Sequence, residues 1–496
     1  MAYSTTYGDM HRAFRNFAIQ DGYSEDPEGS GLKYATLDLR TTHRSVKQAP
    51  PKVTSGMMWT DEDFPPSRAV TGCASETLVW YRPHNFLQNP QLFVHGTERF
   101  DVKQKGFGTC WFLSMLSNLA DKPRLLKKVI NTGSYTPGKD GICHCKLWKF
   151  GEWVDIYIDD SLPLYQGKPG LELYGAASGT ASNELWVSLV EKAVAKMYGS
   201  YCVVDGGWPS DAYLALTGGV SETVPLASYT SPPDDLFRRL DKALETGAMV
   251  TCVILGTIKE QEMKDYAGKL GLLGPHAYAL NKTAKVQRYN GEVVCLIRIR
   301  NPHGKNEWTG KWSDQSSEWD TLAKGKNLRR IRDEGEFWME LSDFMQRFTQ
   351  TTICSMTVDF DKDGQSDPLN YVLRIFGEWG TEVTVIVPNI CKKPEFSDKY
   401  RGLTPEGTVP VVVQVIQDEL RHDSFSKIGC GVLTGDDRTR IPDIEGKPRR
   451  SAELQRVFRY NLSPGTYILR PSRKHGTSKE FLVRVFSPCP IHADKY

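Results

Sequence analysis

Hydrophobic positions change their spacing along the chain. From Cys110 to Ala120 they recur at Trp111, Phe112, Met115, Leu116 and Leu119, a helical stripe that Pro123 closes. Gly151–Asp160 alternates Val154, Ile156 and Ile158 with polar neighbours, which predicts a half-buried strand. Over Glu184–Met197, Leu185, Leu189, Ala193 and Met197 fall four apart on one helix face. Thr217-Gly218-Gly219 then reads as a hinge. Strand signals follow at Met249–Leu255, His276–Leu280 and Val293–Arg300. Beyond Ser355 nearly everything is strand and turn, with Val383–Val387, Val409–Val415, Tyr467–Leu469 and Phe481–Phe486, which predicts an all-β sandwich of about 140 residues. Residues 1–57 are rich in Ser, Thr, Gly, Pro and charge; apart from a short helix near Met10–Phe17 they predict a flexible leader. The divisions are 1–57, 58–219, 220–355 and 356–496.

Composition removes several classes. A chain of 496 residues is long enough for about three domains. Lys+Arg number 62 against 60 Asp+Glu, so no global charge points to nucleic acid. With 40% hydrophobic residues the chain can bury a core, which excludes a mostly disordered protein. No apolar run approaches the roughly 18 residues of a spanning helix, and the N-terminus lacks a secretory pattern. Eleven cysteines, an odd number spread from Cys73 to Cys489, fit a reducing cytoplasm better than a disulfide scaffold.

The chemistry centres on Gln104-Lys105-Gly106-Phe107-Gly108-Thr109-Cys110-Trp111. A cysteine opening a helix lies at the positive end of its dipole, which favours the thiolate. The glycines before it allow a tight turn that aims the Cys110 amide at a substrate carbonyl, and Gln104 supplies a second oxyanion donor. A thiolate protease also needs a histidine to share the proton and a group to orient it. His276 opens a predicted strand, and Asn301 closes the next long one before Pro302. Singly, each is an ordinary buried histidine or turn asparagine; in this order they form a Cys-His-Asn set across two lobes.

At this point the chain resembles the calpain family. Asn89-Pro90-Gln91-Leu92-Phe93-Val94, Glu184-Leu185-Trp186, Glu191-Lys192-Ala193, Glu307-Trp308-Thr309-Gly310 and Gly335-Glu336-Phe337-Trp338-Met339 extend the match from about Trp59 to Ile353. The resemblance implies an α+β fold: a two-lobed papain-like protease core, with a helical lobe (58–219) and a β-rich lobe (220–355), followed by an all-β sandwich. It implies a calcium-dependent cytoplasmic cysteine endopeptidase, with Cys110 as nucleophile, His276 as general base, Asn301 as its orienter and Gln104 in the oxyanion hole. Ca2+ aligns this triad from two sites. The first matches the backbone oxygens of Val94 and Gly96 with the carboxylates of Asp101 and Glu184; the second matches Glu307, Asp314, Glu334, Glu336 and the Arg332 carbonyl. These are hard oxygen ligands of the kind calcium takes. Scattered carboxylates alone would read as solvated surface.

Some positions depart from the family pattern. His303 stands where the family has Trp covering the triad, Thr109 where Asp precedes the nucleophile, Lys105 and Pro275 where Gly is usual, and Glu334 where Asp is usual. Asp359-x-Asp361-x-Asp363-Gly364 starts like an EF-hand loop, but its twelfth position is Asn370, so it reads as a polar interdomain turn. Cys143-x-Cys145 has no partner pair for zinc. Expected partners are unfolded protein segments, with no nucleic acid and no dimer through a penta-EF-hand domain. Weak contact with anionic membrane through Arg438, Arg440, Lys447, Arg449 and Arg450 of the sandwich is set against a plain solvated loop. The competing readings are a weakened calpain-like calcium-responsive scaffold and, further off, a transglutaminase, whose triad ends in Asp.

Overall fold

The computed structural model describes residues 24–25, 32–40, 49–71, 78–166, 171–256, 269–323, 328–367, 370–389, 404–419, 425–446 and 451–495. The helix expected near Met10–Phe17 lies outside them, as do Lys447, Arg449 and Arg450. The chain divides into two compact units. One comprises residues 45–356 with 363–365; the other comprises 1–44, 357–362 and 366–496.

In the first unit the stripe at Cys110–Ala120 is a helix over those residues, and every one of them after Cys110 is buried. Pro123 does more than close it. Its fixed φ suits a helix start, and it opens a second helix, Pro123–Val129. Trp186–Tyr198 forms the next long helix, buried nearly all round. Six antiparallel strands make one sheet in the order Glu336–Glu340, Val293–Arg300, His276–Gln287, Met249–Ile254, Gln350–Ser355 and Val220–Pro225. Val250, Cys252, Leu280, Ile297 and Ile299 of the sheet share a core with Leu236, Phe237 and Leu240 of the helix Pro233–Glu245. Burying each such Leu, Ile or Phe side chain contributes about 1.5–3 kcal/mol. The helix carrying Cys110 is tied to this sheet by Asn118, whose Nδ2 donates to the Val250 carbonyl at 2.7 Å. The strand expected at His276–Leu280 continues to Gln287, because its outer half pairs with Val293–Arg298.

In the second unit two sheets enclose one apolar core. One runs Ser24–Glu25, Lys33–Asp38, Tyr371–Glu378, Glu480–Ser487, Val409–Gln417, Gln455–Leu462. The other runs Arg440–Ile441, Lys427–Thr434, Gly465–Lys474, Val383–Val387, His492–Lys495. Leu373, Ile375, Val413 and Val483 of the first sheet meet Val383, Val385, Val432 and Leu469 of the second. The leader expected to be flexible contributes here: Lys33–Asp38 runs parallel to Tyr371–Phe376. A short strand paired on both sides needs only backbone partners and a little apolar surface, which buried Ala35, with Leu32 just before the strand, supplies. Arg40 then ties the strand's end, donating to Asp38 Oδ2 at 2.5 Å and lying over the Phe376 ring.

Two further observations bear on the sequence reading. Cys202 and Cys489 each take part in a disulfide, so the chain is not the all-thiol one its odd cysteine count suggested. No helix among the described residues is long and apolar enough to cross a membrane.

Candidate active site

The sheet brings His276 and Asn301 together because one opens its strand where the neighbouring antiparallel strand ends; Arg300 pairs with Ala279. His276 Nε2 and Asn301 Oδ1 are 2.9 Å apart. The same Oδ1 accepts the backbone N–H of His303 at 3.0 Å, while Asn301 Nδ2 donates to the Asn306 carbonyl at 3.2 Å. An oxygen that accepts from a backbone amide is fixed as the acceptor, so the proton of the shared bond sits on His276 Nε2. Nδ1 of the neutral ring is then the free lone pair, which is the atom a base offers to a thiol. Burial, then the neighbouring His303, push the His276 pKa down to about 3, against the Asn301 hydrogen bond.

Across from it, Cys110 is the first residue of its helix and half-buried. The expected lowering of its pKa by the helix start is outweighed. Burial pushes the thiol up, the N–H groups of Ala277, Trp111 and Cys110 itself pull it down, and the charge of Asp205 pushes it up again. Among the described residues no hydrogen bond joins Cys110 to His276, and burial works against charge on both, raising the thiol and lowering the imidazole. Gln104 is anchored through its backbone N–H to the Pro302 carbonyl at 2.8 Å. Its Nε2 donates one hydrogen to the Phe107 carbonyl at 3.0 Å, leaving a second N–H.

The glycines here serve close approach rather than a left-handed turn. A Cβ on Gly106 would stand 2.5 Å from the Tyr174 ring, and one on Gly108 would stand 2.1 Å from Asp205 Oδ1. Thr109 donates its hydroxyl to buried Glu191 at 2.6 Å, which makes use of the position where the family has Asp. Lys105 is held by Glu172 at 2.6 Å. His303 lies flat on the His276 ring, with centroids 4.8 Å apart.

The carboxylates expected to hold calcium fall into groups. Around the first, Glu184 Oε1 accepts the Val94 N–H at 2.6 Å, and Asp101 Oδ2 accepts the Glu98 N–H at 2.8 Å. His95 and Gly96 both take positive φ, which turns the chain beside Val94. Burial, together with the charge of Asp101, raises Glu184 to about 7. In the second group, Glu307 accepts the Gly335 N–H at 2.8 Å and Asp314 accepts the Arg332 N–H at 3.1 Å. Both line a cavity of about 420 Å³ with Arg332 and Asp333. Burial first, then Asp314 and Glu334, raise Glu307 to about 7, and Glu334 Oε2 is buried with no hydrogen-bond partner. Buried carboxylates and the orphaned Glu334 oxygen are hard ligands of the kind calcium takes, but among the described residues neither expected set brings three carboxylates within 4.8 Å of one another.

Glu336 stands apart from its expected companions. It is bound by Arg99 at 2.7 Å, by Arg298, and by Asn281 Nδ2 at 2.7 Å. Arg99 lies two residues from Asp101, so it connects Glu336 with the neighbourhood of the first carboxylate group. Sequence reasoning missed Arg99, Arg298 and Arg300. The signal was present: Arg298 and Arg300 interrupt an apolar strand, and buried guanidinium groups must find partners. Arg300 donates to the Val102 carbonyl at 3.0 Å.

A thiol at a helix start facing a buried, asparagine-bound histidine is the equipment of a cysteine hydrolase. Comparison with known proteins makes this specific. The family model described as calpain family cysteine protease matches residues 59–355, and the chain belongs to that family. It is 41% identical over 317 residues to the calpain-1 catalytic subunit of Homo sapiens, covering 62% of this chain and 43% of that protein. It is 40% identical over 487 residues to the calpain-1 catalytic subunit of Sus scrofa, covering 87% of this chain and 65% of that protein. Calpain clp-4 of Caenorhabditis elegans is 30% identical over 481 residues, covering 87% and 65%. The chain thus spans about half to two thirds of the length of these relatives.

Proposed function

We propose that the protein is a calcium-dependent cysteine endopeptidase that cuts unfolded segments of cytoplasmic proteins. The observation that carries this is the half-built triad: the His276–Asn301 bond is formed at 2.9 Å, while Cys110 has no bond to His276. A switch that closes that last gap is what calcium would supply. Val94, Gly96, Asp101 and Glu184 would hold one ion; Glu307, Asp314, Arg332 and Glu334 would hold the other, and Glu336 would join once released from its arginines. Calcium, when bound, would supply positive charge that these carboxylates and carbonyls could share.

In the aligned site His276 Nδ1 takes the Cys110 proton, and the thiolate attacks the scissile carbonyl. The oxyanion meets the Cys110 N–H and the free N–H of Gln104. His276 returns its proton to the leaving amine, and water then frees the acyl group by the same route. Asn301 keeps the ring in the tautomer this needs. In this reading residues 58–219 and 220–355 are the two lobes, 356–496 is a β-sandwich, and no nucleic acid takes part. Weak contact with anionic lipid belongs to the same proposal.

A calcium-responsive scaffold with little cleavage is the second reading, favoured by His303 lying on the catalytic ring. The disulfides at Cys202 and Cys489 weigh against a strongly reducing compartment; thiol labelling of the protein in intact cells tests the cytoplasmic assignment. The function itself is tested by digestion of an unfolded protein with calcium removed and restored. Cleavage only with calcium supports the endopeptidase; calcium binding without cleavage supports the scaffold.

A further inference from the structure

The segment Val204–Gly207 is fastened directly to the approach to the nucleophile. Trp111 Nε1 donates to the Val204 carbonyl at 2.9 Å, and the Gly206 N–H donates to the Gly108 carbonyl at 2.9 Å. Between these ties, Asp205 Oδ1 accepts the Gly108 N–H at 2.7 Å. Gly207 lies flat on the Trp111 indole, where a Cβ would come within 2.6 Å of the ring. Asp205 is therefore held against Gly108, two residues before Cys110, yet it is exposed and makes no ion pair among the described residues. Lys105, three residues before Gly108, is paired with Glu172.

A bare carboxylate beside a cysteine nucleophile works against the thiolate, and its charge does push the Cys110 thiol up. That cost becomes useful if the substrate brings the countercharge. We propose that Asp205 determines specificity, selecting polypeptide substrates that carry a lysine or arginine close to the scissile bond. The inference rests on the endopeptidase reading and names a substrate class for it. A cationic side chain would gain an ion pair with Asp205 and at the same time relieve the repulsion felt by the developing thiolate. The preference therefore falls in kcat as well as in KM.

The test uses the full chain with calcium and peptides identical except for one position, Lys or Gln, walked residue by residue across the cleaved bond. Wild type should favour Lys about fivefold at its best position at low salt, less at high salt. Asp205→Asn keeps an oxygen for the Gly108 N–H but removes the charge, so the Lys/Gln ratio should fall to about one. Asp205→Glu should restore part of it. A merely structural role would lower both rates together and leave the ratio unchanged. Equal cleavage of Lys and Gln peptides by wild type, or a preference that survives in Asp205→Asn, overturns the assignment while leaving the protease reading intact. Cleavage of no peptide overturns both.

Discussion

The imidazole rings of His276 and His303 stack with centroids 4.8 Å apart and planes 12° from parallel. The family places an indole where His303 stands, so this chain covers His276 with a second titratable ring. Burial and the neighbouring Lys305 both hold His303 below the usual histidine range. When His303 does take a proton, its charge opposes the imidazolium that His276 must become during catalysis. The acid limb of kcat/KM should therefore move to lower pH in His303→Trp than in wild type. Superimposable pH profiles would show that the stacked ring has no electrostatic role.

Calcium affinity should depend on pH. Glu184 and Glu307 each sit at about 7, raised mainly by burial, so near neutrality each is about half protonated and must lose its proton to bind a cation. At pH 7 binding should release about one proton in all, and affinity should rise between about pH 6 and 8. In the metal-free protein the same raised values have the opposite consequence. Between the unfolded value, near 4.5, and about 7 the folded state holds more protons, so these two groups lose stabilising effect as pH rises through that window. Calorimetry in buffers of different ionisation enthalpy reads the proton release; none at pH 7 would remove these carboxyls from the sites.

Gly271 takes φ +71°, and a Cβ there would lie 1.7 Å from the Glu307 carbonyl oxygen. Neither backbone can yield without moving Glu307. Gly271→Ala should destabilise the fold by about 1–3 kcal/mol and raise the calcium needed for half-maximal activity. An unchanged calcium requirement in a folded variant would place Glu307 outside the switch.

Lys192 and Asp159 form a buried pair at 2.6 Å, the lysine also donating to the Asp159 and Ser161 carbonyls. Burial opposes the Asp159 charge, but Lys192 outweighs it and keeps the carboxyl below its usual range. Lys192→Met strands that charge and should cost about 3–5 kcal/mol by thermal or denaturant unfolding. A loss under about 1 kcal/mol would mean the site relaxes to admit solvent.

How much of this was legible depended on the range of the interaction. The helix at Cys110–Ala120 and the strands Val293–Arg300 and Val383–Val387 follow from local apolar periodicity, and the structure has them at those bounds. Lys33–Asp38 was not legible, because a strand that borrows its partner from Tyr371–Phe376 leaves little trace in its own composition. Cys110, His276 and Asn301 could be named from their order and surroundings. Asp205 could not, since nothing near it in sequence says that its loop folds back onto Gly108. Glu336 was readable as an acid but not as the partner of Arg99, more than two hundred residues away.

The central claim is that calcium completes a triad whose His276–Asn301 half is already formed. The most direct test is cleavage of an unfolded protein by the purified chain, with calcium first chelated and then restored at about millimolar level, and Cys110→Ala alongside. The account predicts cleavage only with calcium and none at all in Cys110→Ala. Equal cleavage with calcium chelated would contradict it, leaving the nucleophile in place but removing the switch.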